Sequence, residues 1–155
     1  MERLRGFSVY EYMAQVTRVV DGDTFDCNVQ LGFNIQIHER VRMAGIDTPE
    51  SRTRNKAEKQ LGLASKVRLK ELLAAAQPVK KNGKKLIILK TSKQTKGKFG
   101  RILATVFVGD MNVNQTLIDE GHARDYWGGS KDEQGPWINQ DGLRWTQGGY
   151  VPFDA

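Results

Sequence analysis

The sequence predicts a mainly β fold of the α+β class, in which five strands close into a barrel that carries about two to three helices. Three observations support this prediction. The 155 residues are enough for one globular domain. Residues 14–46 show the alternation of strands, and the predicted elements run in the order strand, strand, strand, helix, strand, strand, helix. We therefore predict a single domain over residues 1–155, with its core at about 12–129.

Three predicted strands fill residues 14–46. The first, at 14–20, is rich in valine, and the turn residues Asp21 and Gly22 separate it from the second, at 24–31. One face of the second strand carries Phe25, Cys27, Val29 and Leu31. One face of the third strand, at 34–46, carries Ile35, Ile37, Val41 and Met43. Its other face carries Arg40 and Arg42, so Arg42 is expected to point away from the apolar residues.

The remaining predicted elements are a long helix, two strands and a short helix. Residues 55–76 have helical periodicity that ends before Pro78. The predicted apolar face of this helix consists of Ala57, Leu61, Ala64, Leu72 and Ala75. Strands follow at 84–91 and 101–108, and a short helix runs from an Asn112 cap to a Gly121 stop. An OB-type barrel has this order of elements. The tail, 130–155, has no period and predicts loop with at most a short helix.

Composition limits the kind of protein this is. The only cysteine, Cys27, excludes an internal disulfide and a cysteine-based zinc site, and its place in an alternating strand predicts a core thiol. The longest apolar runs, 86–89 and 102–108, are far shorter than the roughly 18 residues of a membrane helix. No membrane association and no obligate protein partner are predicted.

Positive charge is concentrated in one stretch of the chain. The net charge is +6, and residues 77–101 contain nine basic residues and no acid. Such a stretch favours a polyanionic partner, although a solvated lysine-rich surface gives the same pattern.

Two acidic clusters lie at predicted strand ends. They are Asp21-Gly22-Asp23-Thr24 and Asp47-Thr48-Pro49-Glu50. Carboxylates and carbonyls are ligands for hard cations such as calcium, magnesium or manganese. Taken alone, the first cluster also fits an ordinary turn and the second a helix start. The two histidines, His38 and His122, lie outside both clusters and are assigned no function.

Two arginines favour a catalytic interpretation of the acidic clusters. Arg42 precedes Asp47 on the strand that enters the second cluster, and Arg101 opens the last predicted strand. A guanidinium pairs with phosphate in a planar fork. Acids for a cation, a further acid and two arginines are the groups that phosphodiester hydrolysis requires.

With these acids and arginines, the chain resembles the staphylococcal nuclease family over about Tyr12 to Gly129. Four blocks match in order and spacing. They are residues 20–24, Arg42 through 47–50, residues 98–101 leading into Leu103-Ala104, and residues 112–114 through Gly121 and Ala123. The resemblance implies a nuclease that cleaves DNA and RNA with little sequence preference and leaves 3′-phosphates.

The resemblance also implies a role for each matched residue. Asp23, Asp47 and the Thr48 carbonyl would bind calcium, with magnesium or manganese as alternatives, and Asp21 would assist through water. Arg42 and Arg101 would hold the scissile phosphate, and Glu50 would deprotonate or orient the attacking water. The substrate-binding residues would be Lys98, Phe99, Tyr126 and Trp127, although packing in the core or at its rim accounts equally well for Tyr126 and Trp127. Phe99 replaces a tyrosine of the family pattern, so the hydroxyl contact to phosphate is missing there.

Two rival functions fit the same fold class. One is a non-catalytic OB-fold module that binds nucleic acid or a partner, although it has no need for the whole set of acids and arginines. The other is a structural or sugar-binding OB domain with an incidental lysine face. The charged first eight residues lack the pattern of a signal peptide, which predicts a cytoplasmic protein. Because cytosolic calcium is scarce, such a nuclease is expected to act under special conditions, for example in a phage or mobile element, or with another divalent ion.

Overall fold

Five strands form the closed barrel at the centre of the fold. The computed structural model describes residues 10–92, 96–97, 99–128 and 134–153. The elements in chain order are β1 (Tyr10–Asp21), β2 (Thr24–Gly32), β3 (Ile35–Met43), β4 (Ile46–Asp47), α1 (Lys56–Ala74), β5 (Ile87–Thr91), β6 (Ile102–Val108), β7 (Met111–Asn112), α2 (Val113–Asp119), β8 (Arg124–Asp125), β9 (Arg144–Thr146) and β10 (Gly149–Val151). In the described part of the chain, no helix is long and apolar enough to cross a membrane.

The barrel is closed by one parallel strand pair. Strands β1, β2 and β3 form an antiparallel meander, β1 also pairs with β5, and β5 pairs with β6. Strand β6 then lies parallel to β3, with Val41 opposite Ile102 and Met43 opposite Ala104. This topology confirms the prediction of an OB-type barrel.

The alternation predicted for β2 is confirmed over most of its length. Phe25, Cys27 and Val29 are buried in the barrel core, and Cys27 is fully buried. Helix α2 also has the predicted limits, since Asn112 caps its first turn by accepting a hydrogen bond from the Gln115 backbone N–H at 3.0 Å. Gly121 follows it with a positive φ of 80°.

The predicted apolar face of the β2–β3 hairpin is wrong at its outer end. Leu31, Ile35 and Ile37 are 43%, 55% and 39% exposed. Because β6 pairs with β3 only from Val41 to Met43, no strand of the described residues lies on the second edge of the outer half of β3, which extends beyond the barrel. Alternation alone does not tell where a strand leaves the core.

Helix α1 confirms the predicted element, but its buried face is different from the one expected. Asn55 caps it by accepting hydrogen bonds from the N–H groups of Ala57 and Glu58. The prediction for Ala64 and Ala75 is wrong, because both are exposed. The residues that are buried are Gly62, Ser65, Leu69, Leu72 and Leu73. Small residues fill the first half of that face because loops approach the helix closely there.

The tail contains a β-hairpin where the sequence predicts loop with at most a short helix. Strands β9 and β10 pair with Trp145 opposite Tyr150, and the Tyr150 hydroxyl donates a hydrogen bond to the Pro136 carbonyl at 2.7 Å. Trp137 is buried. The described part of the tail therefore packs on the domain.

Candidate active site

Two acidic loops lie together against helix α1. One is the β1–β2 turn with Asp21 and Asp23, and the other follows β4 and contains Thr48 and Glu50. A Cβ on Gly22 would lie 2.7 Å from the Ser65 Cβ, and a Cβ on Gly62 would lie 2.4 Å from the Glu50 carbonyl oxygen. Glycine and serine thus allow both loops to approach the same helix face.

Asp23 joins the two loops by hydrogen bonds. Its side chain is almost buried, and its Oδ1 accepts a hydrogen bond from the Thr24 hydroxyl at 2.9 Å. Its Oδ2 accepts a hydrogen bond from the Thr48 backbone N–H at 3.2 Å. A residue of the first cluster therefore fixes the backbone of the second.

Arg42 lies against both acids that the sequence predicts as cation ligands. Its Nη2 is 3.4 Å from Asp23 Oδ2 and 3.9 Å from Asp47 Oδ1. Its Nη1 donates a hydrogen bond to the Met43 carbonyl at 2.9 Å. Strand pairing places Arg42 opposite Thr24, beside the first acidic turn. The structure thus brings Asp23, Arg42 and Asp47 together.

Arg101 lies on the wall of a cavity that Arg42 also lines. This cavity has a volume of about 340 Å³. Burial lowers the pKa of Arg101, the positive charge of Arg42 lowers it further, and Asp23 opposes the shift. Among the described residues, Arg101 belongs to no ion pair within 4 Å. Two neighbouring cations on one wall suit an anionic group such as phosphate.

Three aromatic side chains also line this cavity. Phe99 lies under Arg101, with the guanidinium 5.2 Å from the ring centroid, and Tyr126 and Trp127 also line the cavity. Trp127 packs so closely on Gly45 that a Cβ there would lie 2.4 Å from the indole. Trp127 is nevertheless 81% exposed, which leaves its other face open for stacking. Lys98, predicted to bind substrate, lies outside the described residues.

Glu50 and Asp21 lie at the edge of the acidic pair. Asp21 Oδ1 accepts a hydrogen bond from the Ser51 hydroxyl, which ties it to the second loop. Glu50 is exposed, and its backbone N–H donates a hydrogen bond to Glu58 Oε2 at 3.1 Å. Glu50 lines a second cavity, of about 310 Å³, together with Asp47 and Thr48. Asp47 thus contacts Arg42, which lines the first cavity, and lines the second cavity together with Glu50, the candidate general base.

The donor set suits a hard cation. Asp23, Asp47 and the Thr48 carbonyl offer only oxygen, and the buried Thr48 hydroxyl has no hydrogen-bond partner among the described residues. Among the described residues, no group of three or more His, Cys, Asp or Glu side chains lies close enough together to hold a metal ion. The predicted set of two carboxylates and one backbone carbonyl has the oxygen donors that hard cations such as calcium, magnesium and manganese prefer.

Three residues near the site had no assigned role in the sequence interpretation. Arg124 lies opposite Asp47 in the β4–β8 pair, with its Nη2 3.6 Å from Asp47 Oδ2. The Asn114 side chain donates a hydrogen bond to the Ala44 carbonyl at 2.8 Å and so holds the loop before β4. Glu58 supports the Glu50 backbone. Only the matched block at 112–114 gave a sequence signal, for Asn114.

The chain is similar to proteins of known family. A family described as staphylococcal nuclease homologue matches residues 40–139. A thermonuclease of Staphylococcus intermedius is 35% identical over 111 residues, which cover 70% of this chain and 56% of that protein.

Two further relatives extend the comparison. The SPbeta prophage-derived endonuclease YokF of Bacillus subtilis is 35% identical over 107 residues, or 69% of this chain and 32% of that protein. An uncharacterized protein of Methanocaldococcus jannaschii is 31% identical over 135 residues, or 74% and 59%. The chain therefore spans about one third to three fifths of the length of these relatives.

Proposed function

The chain belongs to the staphylococcal nuclease family, and on this premise we propose that it is a calcium-dependent nuclease. It hydrolyses phosphodiester bonds in DNA and RNA with little sequence specificity and leaves 3′-phosphate ends. The observation that supports this most directly is the convergence of Arg42 on Asp23 and Asp47, with Arg101 on the wall of the same cavity. A binding module has no need for acids and arginines in this arrangement.

In this proposal Arg42 and Arg101 hold the oxygens of the scissile phosphate. Both guanidinium groups line one cavity, and Arg101 has no ion pair among the described residues, so it can accept an anion. Their planar forks match phosphate geometry and stabilise the charge that develops on the equatorial oxygens. A lysine in either position would keep the charge but lose the fork.

Asp23, Asp47 and the Thr48 carbonyl would hold the cation, with Asp21 assisting through water. When bound, calcium supplies positive charge that offsets the charge on the phosphate. Before that, the same carboxylates keep Arg42 in place, since its Nη2 is within 4 Å of both. The acids therefore orient the phosphate-binding group as well as offering a cation site.

Glu50 takes the proton of the attacking water. The water oxygen forms a bond to phosphorus, the bond from phosphorus to O5′ breaks, and O5′ leaves with a proton from solvent as a 5′-hydroxyl. The product on the other side is a 3′-phosphate. Exposure of Glu50 and the hydrogen bond that holds its backbone to Glu58 suit a base that must meet substrate and solvent.

The aromatic wall gives a reason for weak sequence preference. Tyr126 and Trp127 offer π faces beside the arginines, and stacking accepts any base. Phe99 adds a third face without a hydroxyl for hydrogen bonding. The wall thus grips a nucleotide without reading its base edges.

The test is cleavage of labelled single-stranded DNA, duplex DNA and RNA in calcium, magnesium, manganese or chelator. We expect calcium-dependent cleavage whose products need phosphatase treatment of the 3′ end before a polymerase can extend them. Glu50→Gln should lower kcat by about 100-fold or more. The matched control is Glu71→Gln, an exposed glutamate on α1 whose partner is Arg68, and it should keep wild-type activity.

A negative result has a defined meaning. Salt-sensitive binding of DNA with no cleavage in any of the three metals would contradict the proposal and support the non-catalytic OB-fold module. Cleavage that survives in Glu50→Gln would contradict the role of Glu50 alone.

A further inference from the structure

Arg124 is a buried cation that the proposed chemistry does not use. It is 3% exposed and lies directly across the β4–β8 pair from Asp47, which is also 3% exposed. Its Nη2 is 3.6 Å from Asp47 Oδ2, while Arg42 faces Asp47 Oδ1 at 3.9 Å. The two carboxylate oxygens are therefore held by different arginines from different sides.

Two tryptophans from the tail enclose the Arg124 guanidinium. Its central carbon is 4.1 Å from the ring centroid of Trp137 and 5.4 Å from that of Trp145. The two indoles meet edge to face at 5.5 Å, and the Trp145 backbone N–H donates a hydrogen bond to the Trp137 backbone carbonyl at 2.7 Å. Cation–π contact with two rings restricts the guanidinium more than an ion pair alone.

The buried ion pair between Arg124 and Asp47 is expected to contribute little to the stability of the fold. Burial lowers the pKa of Arg124, and its Nη1 has no hydrogen-bond partner among the described residues. A buried ion pair is often no more stabilising than well-packed apolar side chains of the same volume. A buried arginine that contacts a predicted cation ligand instead suggests a task at the site.

We propose that Arg124 is a positioning residue for Asp47, and that Trp137 and Trp145 hold its guanidinium for this task. By fixing Oδ2, Arg124 sets the plane of the carboxylate so that Oδ1 faces Arg42. The tail thereby takes part in shaping the cation site. The inference rests on the proposed function, because it assigns a task within that same site.

The direction in which calcium affinity changes distinguishes a positioning role of Arg124 from a purely electrostatic one. Arg124 is a cation beside a cation ligand, so loss of its charge alone would remove repulsion and tighten calcium binding. Loss of positioning would weaken calcium binding, since partners of ligating groups typically account for about 10- to 100-fold in metal affinity. The two effects are opposite in direction.

The experiment is calcium titration by calorimetry on the full chain without nucleic acid. We expect Arg124→Met to weaken calcium binding at least tenfold, and Arg124→Lys, which keeps the charge but not the planar fork, to recover only part of it. Arg68→Met is the matched control, because Arg68 pairs with Glu120 at 2.6 Å and with Glu71 at 3.8 Å, and both glutamates lie outside the two acidic loops. It should bind calcium like the wild type.

A second variant keeps the proposal testable if Arg124→Met does not fold. Trp137→Leu leaves the charge of Arg124 and removes the closer ring, and it should also weaken calcium binding. Unchanged or tighter binding in folded Arg124→Met, or wild-type binding in Trp137→Leu, would overturn the positioning role while the nuclease assignment stands. Absence of calcium binding in the wild-type protein would overturn the proposed calcium dependence, and this inference with it.

Discussion

In the proposed mechanism, Arg42 has two tasks that depend on the shape of one guanidinium group. It contacts Asp23 and Asp47 and also lines the cavity proposed for phosphate. Arg40 lies two residues earlier on the same strand and makes a bidentate pair with Asp26, at 2.7 Å and 3.2 Å. These two arginines have the same chemistry and very different surroundings.

Arg42→Lys should therefore lower kcat/KM by about 100-fold, because a lysine cannot bind phosphate and the acids through a planar fork. Arg40→Lys, the matched variant, should keep nearly full activity. Steady-state kinetics on one oligonucleotide and thermal melts of both variants provide the measurement. Equal losses in the two variants would show that Arg42 has no special place.

Cys27 gives a prediction about stability and pH. Burial raises the pKa of its thiol to about 12, with smaller contributions from the charges of Asp26 and Glu39. Above the ordinary value of 9.0, the unfolded chain ionises while the folded protein keeps the thiol neutral. Stability from this group is complete below pH 9 and falls as pH rises, by up to about 1.4 kcal/mol per pH unit.

Urea unfolding of the wild type and Cys27→Ala at several pH values between 8 and about 11 measures this effect. The free energy of unfolding should decline with pH more steeply in the wild type, since the variant lacks the thiol. A thiol reagent at pH 8 should not label the native protein but should label the unfolded chain. Parallel pH profiles would contradict the prediction.

At the residue scale, the sequence was most informative where motif residues are close along the chain. Asp23 and Asp47 each lie in a short polar cluster, and their meeting through Arg42 follows from the strand arrangement. Arg124 could not be predicted, because its partners Asp47, Trp137 and Trp145 come from distant segments. The two tryptophans lie in a tail with no period to place them.

At the element scale, helix α1 is the common support of both acidic loops. Gly62 meets the Glu50 backbone and Ser65 meets Gly22. The Ser65 hydroxyl also donates a hydrogen bond to the His122 carbonyl at 2.9 Å, which connects the helix to the segment before Arg124. The small residues of this face determine how near the loops approach.

Gly62→Ala should lower activity more than tenfold and reduce the melting temperature. At an exposed helix position, alanine stabilises the helix by about 1 kcal/mol relative to glycine. At position 62, however, the alanine Cβ would lie 2.4 Å from the Glu50 carbonyl oxygen. The loop that carries Glu50 must then move. Kinetics and thermal melts test this, with Gly148→Ala as control, because no atom lies within 4 Å of a Cβ there. Normal activity with a raised melting temperature would refute it.

The same contacts explain why the elements were easier to predict than their faces. Hydrophobic periodicity finds a helix at 55–76 but selects Ala64, which is exposed, instead of Gly62 and Ser65, which are buried. Small residues such as Gly62 and Ser65 allow another backbone to approach the helix, but a search for hydrophobic periodicity does not count them as apolar. Likewise, Leu31 and Ile35 are exposed because they lie in the part of the β2–β3 hairpin that β6 does not reach. The position of β6 cannot be read from the alternation of β2 and β3.

At the scale of the whole molecule, basic residues that are distant in sequence gather in one groove. A groove of about 740 Å³ lies between β1 and α1, and none of the described residues that line it is acidic. Its cationic residues are Arg18, Lys66, Lys70 and Lys85. Only Lys85 belongs to the basic stretch at 77–101, so charge counted along the chain indicated a polyanionic partner but could not locate this groove.

Lys66→Gln combined with Lys70→Gln should weaken binding of long duplex DNA, measured at low salt, and lower the salt dependence of log K by about 2. Cleavage of a short oligonucleotide that cannot reach the groove should be unchanged. Lys80→Gln with Lys81→Gln removes the same charge from exposed positions outside the groove. A salt dependence that falls equally in both pairs would show that the groove has no special role.

Barrel closure has a consequence for the order in which the site is completed during folding. The β1–β3 meander contains Asp21, Asp23 and Arg42, but Arg101 joins them only when β6 pairs in parallel with β3. Pairing between segments so far apart is slow compared with hairpin formation. A nascent chain that has emerged from the ribosome only as far as α1 therefore carries every predicted cation ligand and lacks half of the phosphate clamp. The two proposed phosphate-binding arginines come together only when the last barrel strand has paired.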